Sequence, residues 1–377
     1  MLTRHGWAAV VAAVVAAVTG RVFGVLELYV LAAGLLGVAV VSLVVVNGSR
    51  PDIHVRRVAR PAVVAVGEAA RVDVRLENQG RRRTPRLRLW EPVGPRGGAP
   101  MQIAPLRGGQ SSAAAYRVPT TRRGIVSVGP MRTERTDLLG LARRRRTIPG
   151  RAEITVVPER VPLAFPSLGS NGSLGQHLRM KAMGRSGTEF HSQREYVPGD
   201  DLRRINWKSS ARSGTLIVRE PALEGVRHCT VVLDTEVAGY DADGFERAVS
   251  AAASVVSAAA NDGTPCRMVA PGLDLRGPDM VHEALRWLAL VQPGDRTVER
   301  AAIAGAHADG LALIVVITSA LGAPSELAAT SAAGPEDTVV VVTAMPDQRS
   351  QRRFGVDASS LQELERNWRH LVGGVHA

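Results

Sequence analysis

The stretch from Arg194 to Glu220 reads REYVPGDDLRRINWKSSARSGTLIVRE and holds the densest polar chemistry in the chain. Its 27 residues include the adjacent carboxylates Asp200 and Asp201, five arginines, and one of only two lysines, Lys208, next to Trp207. Planar guanidinium forks pair bidentately with carboxylates, so the pattern suits a structural clasp between domains. It also suits docking of a protein partner, and a phosphate held beside a capped turn is a third use of the same groups. The residues that carry these readings are Arg194, Tyr196, Pro198, Gly199, Asp200, Asp201, Arg203, Arg204, Asn206, Trp207, Lys208 and Arg212. Pro198-Gly199 sets a turn. Asp200 or Asp201 is expected to cap a helix, Gly214 to end it, and TLIVRE to run on as a strand. Arginine has replaced nearly all lysine in this chain, so the survival of Lys208 points to a need for a compact ammonium.

A second group with chemical potential is Asp234, which ends the apolar run RHCTVVLDT, with Glu236 two residues on. Parallel sheets gather ligands at the carboxyl ends of their strands. A hard divalent cation wants about six oxygens, however, and two or three are in prospect here. The expectation is therefore a metal-free interaction surface; a divalent-cation-dependent binding or enzymatic site at Asp234 and Glu236 is the rival. The chain lacks GxxxxGK[ST], GxSxG and HExxH, and its nine histidines show no ligand spacing. No catalytic residue and no cofactor is expected.

These groups need elements to hold them. Residues 6–24 and 27–46 are nearly free of charge, and each is close to the length a helix needs to cross a bilayer. Together they predict a transmembrane helical hairpin over 1–47. Arg50, Arg56, Arg57 and Arg60 follow the second span, which by the positive-inside rule places both termini and all later residues in the cytoplasm. Two cysteines without a CxxC pattern, Cys229 and Cys266, agree with a reducing compartment. Residues 51–160 hold 23 Arg against 9 acids, a net of +14, while residues 226–377 carry a net of −7. The basic region suits anionic lipid headgroups beneath a membrane. A nucleic-acid face built on Arg143–Arg146 is the rival, but only Trp90 and Tyr116 are there to stack bases.

Residues 48–160 alternate apolar and polar positions between Gly and Pro breaks, which predicts a basic antiparallel β-sandwich with Arg71, Arg75, Arg86 and Arg88 on the outward face. GLARRRRTIPG is expected to form an exposed hairpin tip. Residues 161–225 contain the polar motif and link the domains. Residues 226–377 alternate fully apolar strands with helical segments, the signature of a doubly wound α/β domain. The fold class is thus α+β multidomain.

Two resemblances add to this reading. The α/β region resembles a von Willebrand factor A-type domain, whose metal site begins Asp-x-Ser-x-Ser where this chain has Asp234, Thr235, Glu236, Val237 and Ala238. Asp234 matches, Glu236 replaces the first serine, and Ala238 has no ligating atom, so the resemblance implies a degenerate site. The motif REYVPGDDLRRINWKSSARSGTLIVRE, with RRGIVSVGP, TDLLGLARR and ITVVPERVPL upstream, is similar to the family catalogued as domain of unknown function 58. The usual Asp-Pro before Leu-Gly reads Asp137-Leu138 here. The resemblance implies a membrane-anchored partner of a MoxR-type AAA+ ATPase, and the family supplies no catalytic residues.

Overall fold

The structure is a computed structural model that describes residues 1–48, 52–185, 190–198, 202, 205–221, 225–304, 310–319, 323–345 and 353–374. The polypeptide divides into two units, Met1–Val156 and Val157–Ala377.

In the first unit, helices α1 (Arg4–Phe23) and α2 (Leu26–Gly48) form a hairpin. Small residues are buried along the two helices, Ala13 and Gly20 on one and Ala32 and Ala39 on the other, and a Cβ at Gly20 would crowd Leu28 and Tyr29 of α2. Such residues let apolar helices approach closely. The remaining faces are apolar and exposed, including Val11, Val15, Val30 and Val41. Both helices are long and apolar enough to cross a membrane.

The strands that follow are β1 (Ile53–Arg60), β2 (Val63–Ala65), β3 (Ala70–Asn78), β4 (Leu87–Val93), β5 (Gly97–Ile103), β6 (Ser111–Val118), β7 (Gly124–Val128), β8 (Met131–Thr136), β9 (Arg143–Ile148) and β10 (Ala152–Val157). One sheet has the order β1-β3-β6; the other runs β2-β10-β7-β4-β8-β9, with β5 beside β4. Strict alternation buries Val72, Val74 and Leu76 of β3 together with Leu87 and Leu89 of β4 in one apolar core, and turns Arg71, Arg75 and Arg88 outward. The arginine run is a correction. Arg143–Arg146 open strand β9, and the hairpin tip lies earlier, at Asp137–Leu141, because the Asp137 carboxylate and Gly140 (φ 74°) supply the turn.

One inward charge breaks the apolar pattern. Arg57 on β1 reaches the opposite sheet and pairs with Glu91 on β4, which also accepts from the Tyr116 hydroxyl at 3.2 Å. Both partners of the pair are buried, with 4% and 0% of their side chains exposed. Gly150 admits the guanidinium, since a Cβ there would stand 2.8 Å from Arg57 Nη1.

In the second unit come α3 (Ser173–Arg185), β11 (Phe190–Glu195), α4 (Trp207–Ser213), β12 (Ile217–Pro221), β13 (Val226–Leu233), α5 (Ala242–Asp262), β14 (Cys266–Ala270), β15 (Leu273–Leu275), α6 (Met280–Leu290), α7 (Arg300–Ala304), β16 (Leu311–Thr318), α8 (Pro324–Ala332), β17 (Asp337–Thr343), β18 (Gly355–Asp357) and α9 (Leu361–Gly373). The main sheet has the order β15-β14-β13-β16-β17-β18, parallel except for β15. Its strands are apolar throughout because both faces are covered. Cys229, Val231 and Leu233 pack with α3, α5, α6 and α9, while Val232, Ile314 and Val316 pack with Ile303 of α7 and with Ala329 and Ala332 of α8. The cysteines, far apart in sequence, are register partners on β13 and β14 and remain free thiols. A hydrogen bond with Cys266, together with burial, holds the Cys229 thiol well above its ordinary value.

At the sheet's edge Arg267 grips Asp274 bidentately, at 2.7 and 2.9 Å, and donates to the carbonyls of Ala302 and Ile303, which secures α7. Hydrogen bonds from Arg267 and then Arg276 hold the Asp274 carboxyl well below the usual range. A depressed folded-state value contributes stability above the unfolded value of about 3.9 and loses it as pH falls toward the folded value. Asp274→Asn should therefore lower the unfolding free energy at pH 7 by about 0.5–1 kcal/mol, given partial exposure, and the gap to wild type should begin to narrow below about pH 4 and close only as pH approaches the folded value. Equal midpoints at pH 7 would contradict this account.

Candidate functional site

The polar motif folds as a strand–helix–strand unit. Strands β11 and β12 pair antiparallel, with Arg194 opposite Val218 and Glu195 opposite Ile217. Tyr196 N donates to Leu216 O at 2.7 Å, so the two arms stay joined beyond the ladder. The helix between them starts later than the acidic pair suggests. It begins at Trp207, with Asn206 as the cap: Ser209 N donates to Asn206 Oδ1. Asn206 wins because its own N–H is held by Ile217 O at 2.8 Å, which fixes the helix start against β12. Ile205, expected inside the helix, instead bridges to Val218. Gly214 ends the helix at φ 75°, as expected, and Ser210 Oγ accepts from Ile217 N at 2.8 Å. Gly199, Asp200, Asp201, Arg203 and Arg204 lie outside the described residues.

What this frame presents is apolar as well as basic. Trp207 is 68% exposed, and Lys208 and Arg212 beside it are exposed too. Val197, Leu202 and Leu216, from the same short unit, are also exposed. Arg194 is exposed, with Nη1 donating to Glu195 O; Tyr196 is half-buried and Pro198 exposed.

The second group lies at the carboxyl edge of the main sheet, where β13 and β16 end side by side and the strand order turns back. Asp234 is buried there. Its Oδ1 accepts from Glu236 N at 3.1 Å, and its Oδ2 accepts from the hydroxyls of Thr318 (3.0 Å) and Ser325 (2.9 Å). The carboxylate thus ties the ends of β13 and β16 to the first turn of α8. Glu236 is half-buried, and its backbone bridges to Gly294. The Tyr240 hydroxyl is enclosed nearby without a hydrogen-bond partner; burial first, then the Asp234 charge, raise it well above its ordinary value. No cluster of three or more metal-ligating acidic, histidine or cysteine side chains occurs among the described residues. A divalent cation fits this donor set poorly: beside the single buried carboxylate of Asp234, which already accepts three protein donors, the set offers the two neutral hydroxyls of Thr318 and Ser325. Thr318 and Ser325 went unnoticed in the sequence. Their one signal was a pair of hydroxyls, Thr318-Ser319, ending an otherwise apolar strand.

Residues 192–372 match the family described as "Protein of unknown function DUF58". No curated protein matches the chain. Among solved structures, the CARDB domain of the PF1109 protein from Pyrococcus furiosus, in complex with di-metal ions, is similar at 14% identity and a TM-score of 0.22, over 28% of this chain and 93% of that one. The alkylpurine DNA glycosylase AlkC of Pseudomonas fluorescens, bound to DNA containing an abasic site analog, is similar at 16% identity and a TM-score of 0.20, over 34% and 39%. The β-glucosidase 3B of Thermotoga neapolitana, in complex with glucose, is similar at 15% identity and a TM-score of 0.17, over 28% and 17%. Likeness at these scores says nothing about the ligands of this chain.

Proposed function

We propose that the protein is a membrane-anchored, non-enzymatic adaptor of the DUF58 family that docks a cytoplasmic partner, by resemblance a MoxR-type AAA+ ATPase. In this reading α1 and α2 span the bilayer, the two antiparallel sheets form a basic β-sandwich facing anionic headgroups, and the second unit is a von Willebrand factor A-like domain. The arginines after α2 support a cytoplasmic side for the sheets by the positive-inside rule. The order β15-β14-β13-β16-β17-β18 with one antiparallel edge strand supports the A-like assignment. The donors that occupy Asp234 favour a metal-free surface over a cation site.

The observation that carries the reading is the exposed Trp207 on a helix locked at both ends. Tryptophan is rarely left in water, and it is enriched at binding hot spots. Because the side chain is exposed, Trp207→Ala/Lys208→Ala should leave stability within about 0.5 kcal/mol of wild type. Affinity capture from detergent-solubilised native membranes tests the role. The wild-type chain should enrich an AAA+ ATPase that the double variant loses. Equal enrichment by both proteins would remove Trp207 from the interface, and capture of no ATPase would remove the partner.

A further inference from the structure

The tip of the β8–β9 hairpin is bound to the polar ends of the two apolar helices. Thr3 N donates to Leu141 O at 2.8 Å, and Thr3 Oγ1 donates to Gly140 O at 2.5 Å. Arg143 N donates to Met1 O at 2.9 Å, and Arg144 Nη1 to Asn47 O at 2.9 Å. The Asp137 carboxylate of the tip lies beside the Ser42 hydroxyl of α2. Gly6 of α1 lies so close to the tip that an added Cβ would stand 2.1 Å from Leu141 O. Contact at this range fixes the depth of the tip along the helices.

That depth is inside the apolar span. Ser42 lies six residues before the end of α2, which at 1.5 Å per residue is about 9 Å up the helix. The 23 residues of α2 extend about 34 Å, little more than the hydrocarbon thickness of about 30 Å. A tip whose Asp137 lies beside Ser42 therefore sits beyond the headgroups. It carries Leu138, fully exposed, and Leu139, 64% exposed, at a turn where polar residues are the rule. The arginines of β9 follow, and Arg144 reaches Asn47, five residues nearer the end of α2 than Ser42. Apolar side chains ahead of a cationic strand match a lipid surface in both layers.

We propose that the β8–β9 tip is a third membrane contact, with Leu138 and Leu139 in the acyl layer and the β9 arginines at the anionic headgroups. The proposal rests on the membrane-spanning reading of α1 and α2, and the test separates the two. A fluorophore is placed on single cysteines of the full chain in nanodiscs, in a Cys266→Ser background, Cys229 being buried. The positions are Leu138→Cys, Val44→Cys on the exposed face of α2, and Thr121→Cys at the far end of the strands. Lipids carrying a nitroxide in the acyl chain should quench Leu138→Cys to within about twofold of Val44→Cys and leave Thr121→Cys unquenched. Quenching at Val44→Cys without quenching at Leu138→Cys would overturn this proposal and leave the spans intact. Quenching at neither would overturn both.

Discussion

In urea titrations of the full chain in detergent, Asp234→Ala should destabilise the second unit by about 3 kcal/mol, because three donors lose one buried acceptor. The Thr318 and Ser325 hydroxyls can turn toward other acceptors; the Glu236 N–H cannot. Asp234→Asn keeps an oxygen for that N–H and should cost only about 1–2 kcal/mol. The same titrations decide whether the position holds a cation. A divalent ion present at 100 times its dissociation constant would stabilise the folded state by about 2.7 kcal/mol. With the carboxylate already occupied, millimolar Mg²⁺ or Mn²⁺ should leave wild type and both variants unchanged. A rise in wild-type stability that Asp234→Ala abolishes would establish the cation-dependent reading instead.

The largest effect in the first unit is expected at the pair joining its two sheets. Glu91→Ala leaves the Arg57 guanidinium buried without its counter-charge and the Tyr116 hydroxyl without its acceptor. Breaking such a pair from one side costs about 3–5 kcal/mol. Replacing both partners with apolar residues removes the charge that had to be kept out of water. Arg57→Met/Glu91→Leu should therefore recover most of the loss, a strongly non-additive cycle. A Glu91→Ala unfolding midpoint equal to wild type would contradict the buried pairing.

That pair was missed in the sequence, where Arg57 stood only as one of the positive charges after the second apolar span, although the local pattern held its signal. In IHVRRVAR and LRLWEPV, alternation places Arg57 and Glu91 on the inward side among Ile, Val and Leu, so two opposite charges were due inside. The same alternation gave the outward arginines, and charge-free length gave α1 and α2. Less was legible where long-range bonds decide the outcome. Asp200, Asp201 and Asn206 all carry a capping signal, and only the bond from Asn206 to Ile217 selects the last. The partners of Asp234 lie 84 and 91 residues away and are ordinary hydroxyls. Cys229 and Cys266 become neighbours only once β13 and β14 align. The arginine run looked like a tip because its charge is conspicuous, whereas the turn itself is made by Asp137 accepting from Leu139 N and Ala142 N.

The adaptor reading is tested most directly by the affinity of the purified full chain, in nanodiscs, for the purified AAA+ ATPase that it captures, with and without ATP. Trp207→Ala should weaken binding at least tenfold, about 1.4 kcal/mol, while unfolding midpoints stay equal. Affinity unchanged by the substitution, or no binding by the wild-type chain in either nucleotide state, would contradict the account.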